Sequence, residues 1–246
     1  MKNILCLFLV IMALSFNKVQ AEAHLSKVHV ITSFYEPYSY LDNGNAQGVA
    51  VNHARKLFAQ LNFYPVIDVY PWARAYKTAL SAPNTLIFSM ARTPEREDKF
   101  HWVGEIVGFN VFLYRDNNRP DIKLKSLRDA KHYRIGALSQ DVKGQYLGKN
   151  NIPVTPLTNE ETGIKMVQNG RIELLPMDKA SMEHRLNKLN LPDDAMIPAL
   201  HLKEISRPLY IAFSKNTDME IVEKFRTAYE KVFPMPVPND GSSRAW

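Results

Sequence analysis

Apolar and polar positions along the chain switch between two periods in a regular order. Val28 to Thr32 is a short apolar run of strand length. After Gly48 the apolar positions fall on Val51, Ala54, Leu57, Phe58 and Leu61, one face of a helix. Val66 to Tyr70 predicts a second strand, and Pro71 then stands at a first helical position, where its missing N–H costs nothing. Thr85 to Met90 predicts a third strand, apolar enough to be buried. Thr93-Pro94 predicts a short helical turn, and Gly108 to Tyr114 a further strand.

Past a polar loop from Arg115 to Lys125 the pattern restarts. Tyr133 to Ala137 reads as a strand and Asp141 to Leu147 as a helix. Thr158 to Asn169 reads as a helix in which Thr158 caps the N-terminus and Glu161 completes a capping box, with Gly170 as the stop. Glu173 to Met177 is a strand, Lys179 to Leu189 a helix, Leu209 to Phe213 a strand and Asp218 to Val232 a long amphipathic helix. Strands alternating with helices imply an α/β fold with mostly parallel sheets flanked by helices, and two successive sets imply two lobes. Such sheets bind ligands at the carboxyl ends of their strands.

The first 21 residues follow a different logic. Lys2 is followed by an apolar run from Ile4 to Phe16 and by Val19-Gln20-Ala21, the pattern of a cleaved secretory signal peptide. The run is shorter than the ~20 residues of a membrane span. The single cysteine, Cys6, lies inside it, so the exported chain is expected to have no disulfide, no thiol nucleophile and no cysteine zinc site. The expected address is the periplasm. The formal net charge is +6, two of the lysines (Lys2 and Lys18) belong to this segment, and the remaining basic clusters lack interleaved aromatics. No nucleic-acid partner is expected.

Candidate chemistry lies just after the strands. Phe34, Tyr35, Tyr38 and Tyr40 surround Glu36-Pro37 in a loop that either packs internally or walls a pocket. Trp72, in the next helix's first turn, has the same two readings. Ser89 to Arg96 lie at and beyond the end of the third strand, and Arg96 is either a surface residue or a bidentate fork for a carboxylate. Asp178 either caps the following helix or pairs with a cation.

These pieces, in order, resemble the extracellular solute-binding proteins of family 3, the polar-amino-acid binding proteins of ABC importers. The residues that carry the resemblance are Tyr35-Glu-Pro-Tyr38, Gly44 and Gly48, Thr93-Pro-Glu-Arg-Glu97 with Phe100 and Trp102, Tyr133-Arg-Ile-Gly136, Asn169-Gly-Arg171, and Leu209-Tyr-Ile-Ala-Phe213. The resemblance implies a two-lobed periplasmic binding protein-like fold (type II) with two hinge crossovers, near Gly108 to Val111 and Ser206 to Leu209. Lobe I would comprise residues 22–108 plus 207–246, and lobe II residues 109–206. It also implies that Arg96 grips a ligand α-carboxylate and Asp178 takes the α-ammonium. Tyr35 would stack on the ligand, with Tyr38, Trp72, Ser89, Gln140 and Asp141 around it.

The chain departs from the family pattern at Ala91, where a hydroxyl is usual, and at Ser139-Gln140-Asp141, where a Gly-Thr is usual. Asn52 and Pro83-Asn84 also differ from the common residues. Asp141 either favours a cationic ligand or caps a helix. The implied function is capture of a small polar solute, an amino acid or related carboxylate, by a monomer that meets an inner-membrane ABC permease. The alternatives are a ligand-sensing module for a membrane receptor and a dehydratase-like enzyme on the same fold. The seven histidines show no metal or triad spacing, so no enzymatic activity, metal or cofactor is expected.

Overall fold

A computed structural model describes residues 25–138 and 141–234. The expected signal peptide and Gln140 lie outside the described residues. The chain forms β1 (His29–Ser33), β2 (Tyr40–Asp42), β3 (Asn45–Gln47), α1 (Val49–Gln60), β4 (Ile67–Tyr70), α2 (Trp72–Ser81), β5 (Thr85–Ala91), α3 (Pro94–Glu97) and β6 (Phe100–Val107). Next come β7 (Val111–Asp116), a 3-10 turn, β8 (Ile135–Leu138), α4 (Val142–Lys149), β9 (Val154–Leu157), α5 (Glu160–Gln168), β10 (Leu175–Asp178), α6 (Lys179–Lys188) and β11 (Met196–His201). A second 3-10 turn, β12 (Leu209–Ser214) and α7 (Met219–Val232) complete it.

The strands make two lobes. One holds a five-stranded sheet in the order β4-β1-β5-β12-β6, the other a three-stranded sheet β10-β7-β11 and the pair β8-β9. The sheets are mixed rather than mostly parallel. β1 pairs in parallel with β4 and β5, and β8 with β9, while β12 runs antiparallel to β5 and β6, and β7 antiparallel to β10 and β11. The strands carrying the chain between lobes cause this. A strand that returns without a helical crossover lies antiparallel to its neighbours.

Burial follows the helical faces. α1 buries Ala50, Val51, Ala54, Leu57 and Phe58, and α7 buries Ile221, Val222, Phe225 and Ala228. The two helices meet where the ring of Phe225 stands edge-on to Phe58 at 6.2 Å and to Phe213 of β12 at 4.9 Å. In the other lobe Leu157, Ile164, Leu175, Met177, Met182 and Leu186 form the core.

Two local features position the site. The aromatic loop closes on itself through Tyr35 N–H to Ser39 O (2.7 Å) and Ser39 N–H to Tyr35 O (3.0 Å). It then lies across the start of α1, whose Val49 and Ala50 N–H groups donate to the carbonyls of Pro37 (3.1 Å) and Tyr38 (3.0 Å). That contact needs Gly48. Its φ is +124°, and a Cβ there would stand 2.3 Å from the Tyr38 carbonyl oxygen. At the crossovers, Val111 N–H donates to Ser206 Oγ (2.9 Å) and Leu202 N–H to Val111 O (2.8 Å), which ties the two connecting segments together.

One helix start differs from the sequence reading. The α5 cap is Asn159, whose side chain accepts from Thr162 N–H at 2.8 Å, and not Thr158. Asn159 is the better placed of two adjacent capping residues because the extended backbone at β9 runs on through Leu157. Asp178 does cap α6, through Ser181 N–H at 3.2 Å.

Candidate functional site

A cleft between the lobes is lined from one side by Ser33, Phe34, Tyr35, Trp72, Ser89, Ala91 and Arg96 and from the other by Phe109, Leu138, Asp141, Val142 and Lys143. Its open volume is about 40 Å³, room for about three or four waters at ~10–15 Å³ each. The lobes touch beside it, through Tyr38 OH to Asp178 Oδ2 (2.7 Å) and Arg185 Nη1 to the Glu36 carbonyl (2.8 Å). A second, wider opening of about 260 Å³ lies alongside, between Arg92–Glu95 and Gln145–Lys149, and shares Ala91 and Val142 with the first.

Arg96 stands at the floor of the cleft. It lies in the short helix α3, and its side chain turns back under the end of β5 until the residue is 2 % exposed. Nη1 donates to the backbone carbonyl of Ala91 at 3.0 Å. The guanidinium lies over the rings of Trp72 and Tyr76, 5.0 Å from each centroid, and those two rings stack at 5.4 Å. Burial pushes its pKa down, opposed by Tyr76 and Asp141, yet an arginine stays charged. Nη2 is buried with no hydrogen-bond partner, and no carboxylate lies within ion-pair distance among the described residues. The missing hydroxyl at Ala91 thus leaves a carbonyl to orient the guanidinium.

Ser89 adds a free hydroxyl. Its backbone has φ +62°, a left-handed conformation that costs a non-glycine residue roughly 1–2 kcal/mol. The pairing of β5 with β12 slips between Tyr210 and Ala212, so the strand bulges at this point. The bulge faces Ser89 into the cleft, where Oγ is buried without a partner. Ser89→Gly is expected to unfold at the same or a higher temperature while ligand affinity falls. A drop in Tm of more than about 4 °C, roughly 1–2 kcal/mol, would mean that the serine is there for packing.

Opposite Arg96 lies a buried group of four charges. Lys143 Nζ is 2.7 Å from Asp141 Oδ2 and 2.8 Å from Glu160 Oε1, and Arg185 Nη2 is 3.0 Å from Glu160 Oε2. Burial alone would lower the Lys143 pKa, but Asp141 and Glu160 outweigh it and hold the ammonium well above its ordinary value. Burial would raise Glu160, and Lys143 with Arg185 outweighs that and holds it low. The Lys143 ammonium also faces the rings of Tyr35 (5.0 Å) and Phe109 (5.8 Å).

Of the residues predicted to hold a ligand, Tyr35, Trp72, Ser89, Arg96 and Asp141 line this one cleft. Asp141 also caps α4 and is engaged by Lys143, so it is not free for a cationic ligand. Tyr38 and Asp178 sit beside the cleft rather than in its wall. Tyr38 OH donates to Asp178 Oδ2 at 2.7 Å across the lobes, and Asn110 N–H donates to Oδ1 at 2.7 Å. Burial, then Asp178, hold the Tyr38 phenol well above its ordinary value. Sequence reasoning missed Lys143, Glu160, Arg185 and Phe109. Phe109 follows a strand end, the rule that found the other aromatics. Among the described residues no group of three histidines or carboxylates could hold a metal ion, and no helix is long and apolar enough to cross a membrane.

The family model for bacterial extracellular solute-binding proteins, family 3, matches residues 28–232. The chain belongs to this family. No curated protein matches it in sequence. Among solved structures, a histidine kinase sensor domain similar to periplasmic binding proteins superposes with a TM-score of 0.74 at 12% identity, over 84% of this chain and 90% of that one. The arginine-bound form of an arginine-binding protein from T. maritima gives 0.69 at 15%, over 86% and 99%. The ancestral amino acid-binding protein AncCDT-1, described as a precursor of cyclohexadienyl dehydratase, gives 0.67 at 17%, over 86% and 92%. These likenesses establish the type II two-lobed fold. Most of the family 3 relatives are non-catalytic solute-binding proteins, and the family's extracellular place agrees with the periplasmic address expected for this chain.

Proposed function

We propose that this family 3 protein captures a small organic acid, an amino acid or related carboxylate, between its lobes and presents the closed form to an inner-membrane ABC permease. One observation carries the reading: Arg96 is a buried cation with a free Nη2 facing an interlobe cleft, and among the described residues no carboxylate lies within ion-pair distance of it. A buried charge without a counter-ion is costly, and a ligand carboxylate supplies one. Solved relatives described as arginine- and amino acid-binding proteins support the same ligand class. The functional lobes in this reading are residues 22–108 plus 207–246 and residues 109–206, hinged at the two crossovers, and a ligand shifts the pair toward closure.

Tyr35, Trp72 and Ser89 would contact the ligand with Arg96, and Tyr38 with Asp178 would latch the closed lobes. The likeness to a sensor domain makes a membrane receptor the second candidate for the partner. Thermal unfolding against a panel of amino acids, small carboxylates, polyamines and peptides tests the ligand class. A solute at 100 times its Kd adds about 2.7 kcal/mol, which raises Tm by roughly 5–11 °C for a chain of this size. A shift with polyamines or neutral solutes and none with any carboxylate would sink the proposal.

A further inference from the structure

The reading above leaves the ligand's other end open, and this inference rests on it. A zwitterionic amino acid brings an ammonium as well as a carboxylate, and a buried ammonium needs an acidic receptor. Every carboxylate around this cleft is already engaged by the chain. Asp178 is 1 % exposed and accepts from Tyr38 OH, Asn110 N–H and Ser181 N–H. Asp141 and Glu160 share the ammonium of Lys143, and Glu160 also holds Arg185. The ammonium that faces the aromatic walls Tyr35 and Phe109 is thus Lys143 Nζ, a group of the protein itself.

Charge balance points the same way. Asp141, Glu160, Lys143 and Arg185 together are neutral, and Asp178 lies behind the wall on its own hydrogen bonds, so among the described residues Arg96 is the cation of the cleft wall with no ion-pair partner. One carboxylate neutralises it. A second cation on the ligand would meet Lys143 and find no free acid, and would lose its hydration without compensation. The remaining wall is apolar, with Phe34, Tyr35, Trp72, Phe109, Leu138 and Val142. Ser89 Oγ and Tyr35 OH are buried hydroxyls without partners that can donate to a carboxylate.

We propose that the cleft selects a carboxylate with an apolar or aromatic body and no ammonium group over the amino acid of the same skeleton. The geometry behind this is the Lys143 ammonium seated between Asp141 and Glu160 and against Tyr35, on the opposite wall from Arg96.

Matched pairs test it by calorimetry on protein recovered from the periplasm: 3-phenylpropionate with phenylalanine, 4-methylpentanoate with leucine, hexanoate with norleucine and glutarate with glutamate. The expected result is that, wherever binding is detected, the compound without the amino group binds at least tenfold tighter. Lys143→Met, checked for folding by circular dichroism, is expected to move that ratio at least tenfold toward the amino acid, because it frees Asp141 in the cleft wall while Glu160 stays paired with Arg185. The wild-type pairs decide the matter if the variant does not fold. An amino acid that binds as tightly as its partner, or more tightly, overturns this inference and leaves the carboxylate reading standing. Silence from both members of every pair overturns the carboxylate reading and this inference with it.

Discussion

Replacing Glu160 with alanine is expected to lower the stability of the protein by about 3–5 kcal/mol, the usual consequence of removing one partner from a buried ion pair. For a chain of this size that is roughly 6–20 °C in Tm. Glu160 bridges two cations, Lys143 at 2 % side-chain exposure and Arg185 at 9 %. Its loss leaves Lys143 with Asp141 alone and Arg185 with backbone carbonyls, those of Glu36 (2.8 Å) and Ser181 (3.4 Å). The damage should reach the cleft as well, because Lys143 packs against Tyr35 and Arg185 reaches across the lobes to the aromatic loop.

The pH dependence of the same site has a definite sign. The Glu160 carboxyl is held below the usual carboxylate range in the folded state, so its contribution is fully present above the unfolded value of about 4.3. It is lost as pH falls from there through the lower folded value. Glu160→Gln has nothing to titrate in that window. Urea unfolding at pH 7 and pH 3 should therefore show a smaller loss on acidification for the glutamine variant than for the wild type. Equal losses would mean that other carboxylates govern the acid limb.

How much of this was legible in the sequence depended on distance along the chain. Helices and inner strands with clear periodicity, such as α1, β5 and α7, were read within a residue or two. Two of the missed strands share a cause. β9 contains Pro156 and β11 contains Pro198, and proline argues against a central strand. Both lie at sheet edges, where the missing N–H is tolerated. β6 was hidden because Gly104 and Glu105 interrupt its alternation. Gly104 is required there because a Cβ would stand 2.2 Å from the Tyr229 ring.

At the site, residues found by looking just past strand ends (Tyr35, Trp72, Ser89 and Arg96) do share one cleft. The four-charge group was not legible. Its members sit on three different helices or their caps, α4, α5 and α6, and each alone reads as a capping or solvated residue. What the pattern could not show is that their side chains converge in the interior of lobe II. Asp178 shows the same limit. Its capping role could be read locally, whereas its bond to Tyr38, 140 positions away, comes only from the fold.

Arg96→Met is expected to abolish solute binding and to leave the ligand-free protein as stable as the wild type, or more so. The two halves of this expectation have one cause. Loss of a charge that pairs with a ligand carboxylate costs about 2–5 kcal/mol of binding, or roughly 30- to 5,000-fold in Kd. In the ligand-free protein the same guanidinium is a buried cation held by one carbonyl and two aromatic rings, with Nη2 unpaired. A methionine of similar reach fills the space over Trp72 and Tyr76 without that desolvation, and replacing buried charge by apolar volume is often neutral or stabilising. Arg96→Lys should not rescue binding, because an ammonium lacks the planar fork that holds Ala91 O and a carboxylate at once. Thermal unfolding with and without solute separates the alternatives. If Arg96 were structural, the methionine variant would unfold well below the wild type with or without solute. A binding role predicts a ligand-free Tm that holds or rises and a solute-induced shift that disappears.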